Sequence, residues 1–162
     1  MGIEIERKFL VIGEAWRDAV ERSEPMDQGY LGGERASVRV RIAGSGAFLN
    51  IKSKQGGASR LEFEYAVPVD EARDMLDALA LPGRIAKRRH YVTHAGHLWE
   101  IDEFEGENAG LVVAEIELQS EDEAFERPAW LGEEVTHDLR YYNSALAQQP
   151  FSLWGKGADK ES

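Results

Sequence analysis

Charged residues recur in pairs separated by one position along this 162-residue chain, and each pair carries one sign of charge. Clustered Lys and Arg side chains suit a highly charged anion such as phosphate. Clustered carboxylates suit a hard divalent cation, Mg²⁺ or Mn²⁺, which itself binds phosphate oxygens. Together the pairs indicate a site for a metal–polyphosphate complex. They are Glu4 and Glu6, Arg39 and Arg41, Lys52 and Lys54, Glu62 and Glu64, Lys87 and Arg89, Glu100 and Asp102, and Glu115 and Glu117.

A spacing of two places both members of a pair on one face of a β-strand. The residues between them are mostly apolar, as in the run 3–10, so each strand has one charged and one apolar face. The pattern predicts at least seven strands, in mostly antiparallel hairpins. They cover approximately residues 3–10, 37–42, 48–54, 60–65, 85–93, 97–104 and 111–118.

Two arrangements explain charged strand faces. They can be solvated outer faces, which is common for a single strand. Like charges on one face repel each other, however, and here they recur on six or seven strands. The alternative is a sheet closed into a barrel, with a charged interior and apolar residues packed outside under helices. A charged interior is costly unless a ligand supplies the opposite charge.

Helices are few in the predicted fold, which is α+β and mainly β. One is expected from Asp70 to about Leu79, a short one at Ser120–Glu123 because of a capping-box pattern, and a last one over Asp138–Gln148. No linker divides the chain, so residues 1–154 are predicted to form one domain, followed by a polar tail over 155–162.

Composition excludes several classes of function. The net charge of −11 argues against nucleic-acid binding, which needs a basic surface. Without cysteine there is neither a disulfide nor a thiolate site. The chain shows no signal peptide and no apolar run long enough to span a membrane, so a cytoplasmic protein is expected.

The motifs follow one another in the order found in the CYTH superfamily, the triphosphate tunnel metalloenzymes, and the chain resembles its short bacterial branch over about residues 3–150. The resemblance is carried by Glu4-Ile5-Glu6-Arg7-Lys8, Gln28-Gly29-Tyr30-Leu31, Val38-Arg39-Val40-Arg41, Ile51-Lys52, Glu62-Phe63-Glu64, Lys87-Arg88-Arg89, Trp99-Glu100-Ile101-Asp102, the run 110–117, the run 130–136 and the run 141–147.

This resemblance implies an eight-stranded antiparallel closed barrel that hydrolyses a linear triphosphate with Mg²⁺ or Mn²⁺. By position, Glu4, Glu6, Glu115 and Glu117 would hold the triphosphate-bound metal. Phosphate oxygens would be bound by Lys8, Arg39, Arg41, Lys52, Lys87 and Arg89. A second metal or the attacking water would be held by Glu62, Glu64 and Asp102. Lys8 and these three carboxylates are the expected catalytic residues. Arg88 is an alternative to Arg89, and Lys54 lies nearer the rim.

Inorganic tripolyphosphate is the expected substrate. An adenylate cyclase of the class IV type, a thiamine or nucleoside triphosphatase, and a non-catalytic polyphosphate-binding module are the alternatives. Two further expectations concern the surface. A homodimer is suggested by apolar residues at Trp130, Leu131, Phe151 and Trp154. His90, His94 and His97 are interpreted as surface or turn residues, because they lie around a predicted hairpin and not on a helix.

Overall fold

A computed structural model describes residues 2–54 and 58–154. The predicted tail over 155–162 lies outside these residues. The described part contains nine strands and two α-helices, α1 (Val69–Leu79) and α2 (Asn143–Gln148). Single 3-10 turns lie at Ala15–Ala19, Gly106–Asn108, Leu139–Tyr141 and Phe151–Leu153. The strands are β1 (Gly2–Val11), β2 (Arg22–Gly32), β3 (Ala36–Ala43), β4 (Gly46–Ser53), β5 (Ser59–Ala66), β6 (Ile85–His94), β7 (His97–Phe104), β8 (Val112–Glu117) and β9 (Leu131–Glu134).

Eight of these strands close into an antiparallel barrel in the order β5-β4-β3-β2-β6-β7-β8-β1, and β1 returns to β5. Strand β1 pairs with β5 along Gly2–Ile5 and with β8 along Glu6–Leu10. Strand β9 adds to β1 at Phe9 and Val11, outside the ring of eight. The predicted closed, mainly β barrel is confirmed.

The apolar strand faces point outward and form much of the core. Phe9, Trp99 and Ile116 are fully buried against Trp16, which the first 3-10 turn places over β6 and β7. On the other side, α1 covers β3 and β4 with Ala72 and Leu76. Burial of one large apolar side chain stabilises a folded protein by about 1.5–3 kcal/mol. These two clusters therefore stabilise the barrel from outside.

At one end the inward face changes from charged to apolar. Leu10, Ile85, Phe104 and Val113 have the same strand parity as the charged residues that precede or follow them. They pack together with Leu146 of α2, and Tyr141, Phe151 and Trp154 pack against the same cluster. The C-terminal segment therefore covers this end of the barrel, and the charged interior has the shape of a cup.

Some sequence-based predictions need correction. Residues 120–123 form a turn and not a helix. The Glu123 carboxylate accepts a hydrogen bond from the backbone N–H of Gln119 and also binds His97. The helix predicted over Asp138–Gln148 is interrupted at Tyr142, whose backbone is extended. Strands β2 and β9 were not predicted, since neither carries a like-charged pair of the kind that marked the others.

The expected surface features also differ. Trp130 and Leu131 are buried in the first core cluster, whereas Phe151 and Trp154 pack at the covered end of the barrel, so the four do not form one exposed face. His90 is buried and not on the surface. Its ring nitrogens bind Ser23 and Glu103, at 2.7 and 3.0 Å. The other two histidines do lie at the β6–β7 hairpin, as expected.

Gly83 controls how closely α2 approaches the barrel. Its φ is +95°, and a Cβ built there would lie 1.8 Å from the carbonyl oxygen of Ala147 in α2. We expect Gly83→Ala to lower the free energy of unfolding by more than the ~1 kcal/mol of a strained backbone alone. Chemical denaturation measures this loss. Gly96→Ala is the control, because Gly96 also has a positive φ but meets no atom within 4 Å; an equal loss in both variants would contradict the packing explanation.

Candidate active site

The barrel encloses a cavity of about 400 Å³ whose walls are almost entirely charged or polar. All eight strands of the barrel contribute to it, β2 and β7 with one residue each. Tyr142 and the first two residues of α2 also line it. The lining residues are Glu4, Glu6, Lys8, Tyr30, Ser37, Arg39, Arg41, Asn50, Lys52, Arg60, Glu62, Glu64, Lys87, Arg89, Glu100, Glu115, Glu117, Tyr142, Asn143 and Ser144.

Strand order separates the charges into two halves. Glutamates line the cavity from four consecutive strands, β7, β8, β1 and β5. Most of the cations come from the opposite half, on β4, β3 and β6, with β2 between them. A ligand in the cavity would therefore meet carboxylates on one side and guanidinium and ammonium groups on the other. An anion with bound divalent cations has the matching distribution of charge.

Two glutamates without a cationic partner in the described part of the chain lie opposite each other in the register of β1 and β8. Glu6 and Glu117 are register partners, and neither forms an ion pair within the described residues. Burial, together with the neighbouring charge of Glu115, raises the pKa of Glu6 to about 7. Burial and the charges of Glu4, Glu100 and Glu62 raise the pKa of Glu117. This part of the wall has an excess of negative charge.

The next residues on the same wall are paired with lysines. Lys8 Nζ donates to Glu115 over 2.7 Å, and Lys52 Nζ lies 2.8 Å from Glu4. Burial alone would raise the pKa of Glu115, but Lys8 and Arg89 lower it to about 2. Burial would also lower the pKa of Lys8, and Glu115 and Glu6 outweigh it and raise that pKa.

The donor set fits a hard divalent cation. The carboxylates of β1 and β8 are oxygen ligands of the kind that Mg²⁺ and Mn²⁺ prefer, and the pair Glu6 and Glu117 has negative charge to be neutralised. Within residues 2–54 and 58–154, no three Asp, Glu or His side chains converge closely enough to hold a metal as they stand. The ion pairs of Glu4 and Glu115 with lysines account for part of this separation.

Asp102 does not lie with the other carboxylates. It is 1 % exposed, does not line the cavity, and accepts from Lys87 Nζ at 2.7 Å and from two nitrogens of Arg89 at 2.7 and 2.9 Å. Although burial opposes ionisation, Arg89 and Lys87 hold its pKa well below the usual range. The structure thus places the expected metal or water ligand behind two cations that line the cavity.

The guanidinium groups of β3 have no carboxylate partners. Neither Arg39 nor Arg41 forms an ion pair with any residue that the structure describes, and the buried Arg39 Nε donates no hydrogen bond. Burial, together with Arg39 and Arg89, lowers the pKa of Arg41 to about 9. A buried guanidinium without a counter-charge is costly, so an anion that is not part of the chain would be bound favourably at this wall.

We expect Arg39→Met to weaken triphosphate binding without loss of fold stability. Methionine fills similar space but removes a buried charge that has no protein counter-ion. A lost charge-assisted hydrogen bond of about 1.5–3 kcal/mol corresponds to a KM for tripolyphosphate roughly 10–100 times higher. Steady-state kinetics and thermal unfolding test both parts. Exposed Arg88→Met is the control, and an unchanged KM for Arg39→Met would contradict the assignment.

Strand parity accounts for several lining residues that were not singled out as site residues. Ser37, Asn50, Arg60 and Glu100 each lie two positions from a predicted site residue. The same parity places Arg89, and not the exposed Arg88, in the cavity. Exposed Lys54 donates to the Gly33 carbonyl and does not line the cavity.

Neither charge pairs nor strand parity indicates that the C-terminal segment contributes to the cavity. Tyr142 donates its hydroxyl to the Thr136 carbonyl at 2.9 Å, and its ring lies 5.0 Å from both Lys8 Nζ and the Arg60 guanidinium. Asn143, the next residue, accepts from Lys87 Nζ at 2.8 Å. These contacts join the covering segment to three cationic side chains of the cavity wall.

Comparison with known proteins matches residues 2–148 to the CYTH domain. A protein of Acetivibrio thermocellus named inorganic triphosphatase is 45 % identical over 152 residues, which cover 93 % of this chain and 97 % of that one. A protein of Nitrosomonas europaea with the same name is 39 % identical over 150 residues, covering 89 % and 96 %.

Solved structures agree with the fold. A crystal structure of an inorganic triphosphatase is 38 % identical, with a TM-score of 0.66 over 91 % of this chain and 95 % of that one. A protein from Pyrococcus horikoshii, at 20 % identity, shares the fold alone, with a TM-score of 0.58 over 74 % and 80 % of the two chains. In the described residues no helix is both long and apolar enough to cross a membrane.

Proposed function

Because this chain belongs to the CYTH domain family, we propose that it is an inorganic triphosphatase, which converts tripolyphosphate and water into pyrophosphate and phosphate. The observation that carries the proposal is the division of the barrel cavity into a carboxylate half and a cationic half. The two relatives named inorganic triphosphatase, each matched over most of its length, support the same activity.

The cationic half would bind the phosphate chain. Arg39 and Arg41 would donate to phosphate oxygens that supply their missing counter-charge, and Lys87 and Arg89 would do so with their remaining N–H groups. Lys8 and Lys52 would exchange their glutamate partners for phosphate oxygens. Phosphoryl transfer passes through a loose transition state, so holding the non-reacting phosphates in line contributes much of the catalysis.

The carboxylate half would hold Mg²⁺ or Mn²⁺. Glu4, Glu6, Glu115 and Glu117 are the proposed ligands of the metal on the triphosphate. A bound divalent cation supplies charge neutralisation at the phosphoryl oxygens. Glu62 and Glu64, which both accept from Asn50 Nδ2, would hold a second metal or orient the attacking water. For Asp102 we propose a different role from the one expected from the sequence, the positioning of Lys87 and Arg89.

The wall of the cavity favours an inorganic substrate. A nucleobase or thiazole ring needs an apolar or aromatic surface, and Tyr30 and Tyr142 are the aromatic residues that line the cavity. The ring of Tyr142 already covers Lys8 and Arg60. Because the C-terminal segment covers one end, a substrate longer than the cup would have to extend through the other.

Phosphate release from tripolyphosphate, ATP and thiamine triphosphate, each with Mg²⁺, Mn²⁺ or chelator, tests the proposal. We expect metal-dependent release that strongly favours tripolyphosphate. Preference for ATP with a cyclic product would indicate a cyclase, and tight binding without turnover under any metal would indicate a binding module. The cytoplasmic location, the single domain over residues 1–154 and the homodimer stay predictions; the residues on which the homodimer rested are now placed in two separate clusters.

A further inference from the structure

Two amide side chains, the buried Gln28 and the half-buried Asn143, connect the cations at the covered end of the cavity. Gln28 is completely buried on β2. Its Oε1 accepts from Arg41 Nε at 2.6 Å, and its Nε2 donates to Asn143 Oδ1 at 3.0 Å. The same Asn143 oxygen accepts from Lys87 Nζ at 2.8 Å. A continuous chain of hydrogen bonds therefore runs from Arg41 to Lys87.

The chemical nature of this link matters as much as its geometry. Each cation finds an acceptor in an uncharged amide, so the link fixes the direction of Arg41 and Lys87 without neutralising them. Lys87 already shares the single carboxylate of Asp102 with Arg89. A second carboxylate beside Lys87 would neutralise the remaining positive charge of the Lys87–Arg89 pair, and less positive charge would be left to attract phosphate.

We propose that Gln28 and Asn143 are positioning residues that aim Arg41 and Lys87 at the phosphate chain and keep their charge available for it. This inference rests on the proposed function of the cavity. It also assigns a role to the start of α2. Leu146, one turn after Asn143, is fully buried at the covered end, so the placement of α2 and the direction of Lys87 are linked.

Asn143→Asp separates positioning from charge. Aspartate has nearly the same shape and accepts from the same two donors, so the fold is retained, but it adds a negative charge next to Lys87. We expect KM for tripolyphosphate to rise about tenfold or more, the equivalent of one lost charge contact. The value of kcat should change less than about threefold, since the carboxylate half is untouched. A structural role alone predicts an unchanged KM for this variant.

Gln28→Met gives the complementary measurement. Methionine has a similar volume to glutamine but offers no acceptor for Arg41, so KM should rise to a similar degree. Gln28→Leu serves as a second apolar variant if the first folds poorly.

Asn108→Asp is the matched control for Asn143→Asp. Like Asn143, Asn108 accepts a hydrogen bond through its side chain, from the Phe151 backbone N–H at 2.8 Å, but it is buried and lies outside the cavity. Its KM should equal that of the wild type.

A binding measurement keeps this inference distinct from the proposed function. Tripolyphosphate with Mg²⁺ should raise the Tm of the wild type, and less so that of Asn143→Asp and Gln28→Met. If the wild type shows this shift but no hydrolysis, the proposed function fails and reduced shifts in both variants still support the positioning role. Wild-type values of KM and of the Tm shift in both variants would overturn it, as would the absence of any tripolyphosphate binding.

Discussion

Glu6→Gln and Glu117→Gln are each expected to lower kcat for tripolyphosphate about 100-fold or more while making the metal-free fold more stable. If one carboxylate ligand of the metal stabilises the transition state by ~3 kcal/mol, its removal lowers the rate by about two powers of ten. The two residues are register partners in the β1–β8 pair, and neither forms an ion pair within the described residues. Burial and the charges of neighbouring glutamates make each of them costly to ionise in the metal-free protein. Removing one charge therefore relieves that cost and also removes a proposed metal ligand.

The raised pKa of Glu6 predicts how the stability of the metal-free protein depends on pH. The pKa of Glu6 rises from 4.5 to about 7 on folding, so the folded state binds the proton more tightly than the unfolded chain. Stability is therefore lost as pH rises between these values. At pH 8 the wild type carries the full cost of ionising Glu6, and Glu6→Gln should raise Tm in chelator. At pH 4 the difference should be small.

Kinetics with Mg²⁺ and thermal unfolding at pH 4 and pH 8 measure both effects. Glu71→Gln on the exposed surface of α1 is the control and should change neither kcat nor Tm. Wild-type kcat in both glutamine variants would refute the metal-ligand assignment. A Tm gain for Glu6→Gln that is equal at the two pH values would show that the cost of ionising Glu6 is not the cause.

Asp102→Asn is expected to cause the largest loss of stability of any single substitution in the cavity region. It leaves Lys87 and Arg89 buried without their shared carboxylate, and breaking a buried pair on one side costs about 3–5 kcal/mol. For a chain of this size that lowers Tm by on the order of 10 °C. Both cations also lose their orientation toward phosphate, so KM should rise.

Chemical denaturation measures the loss of stability of Asp102→Asn, and steady-state kinetics measures the rise in its KM. Glu100→Gln is the matched control, because Glu100 lies on the same strand two residues away, but its side chain is 33 % exposed and lies 3.3 Å from Arg89. It should destabilise the protein far less. An equal loss of stability in the two variants would mean that Asp102 does not have the supporting role inferred from its position.

Period-two patterning left a barrel with a charged interior as one of two arrangements, and the family resemblance implied that eight strands close it. Most of the interior residues could then be assigned because the ring of strands is closed. In such a ring every strand has one inner face, so parity alone assigns Arg39, Lys52 and Glu115 to the same space. Strand β2 was not predicted because its inward residues, Gln28 and Tyr30, are uncharged and gave no repeat of one sign.

The prediction was incomplete where the site depends on tertiary contacts. Asp102 has the parity and charge of a metal ligand, and only the packing of Lys87 and Arg89 shows that its oxygens are occupied. The covering of one end by α2 depends on Leu146 meeting apolar residues from β6, β7 and β8. The inward parity of Ile85, Phe104 and Val113 was the available signal for that apolar end.

The sharing of β1 among three partners affects how the chain can acquire its fold during synthesis. Strand β1, the first strand of the barrel to be synthesised, pairs with Ile116 and Glu117 of β8 and with Glu134 of β9, more than a hundred residues later. Until those residues emerge, β1 has an unpaired edge and the sheet stays open. Such distant contacts slow folding, and unpaired strand edges invite association with other chains. A chain that stopped before β8 would keep that exposed edge permanently, so ring closure must come late.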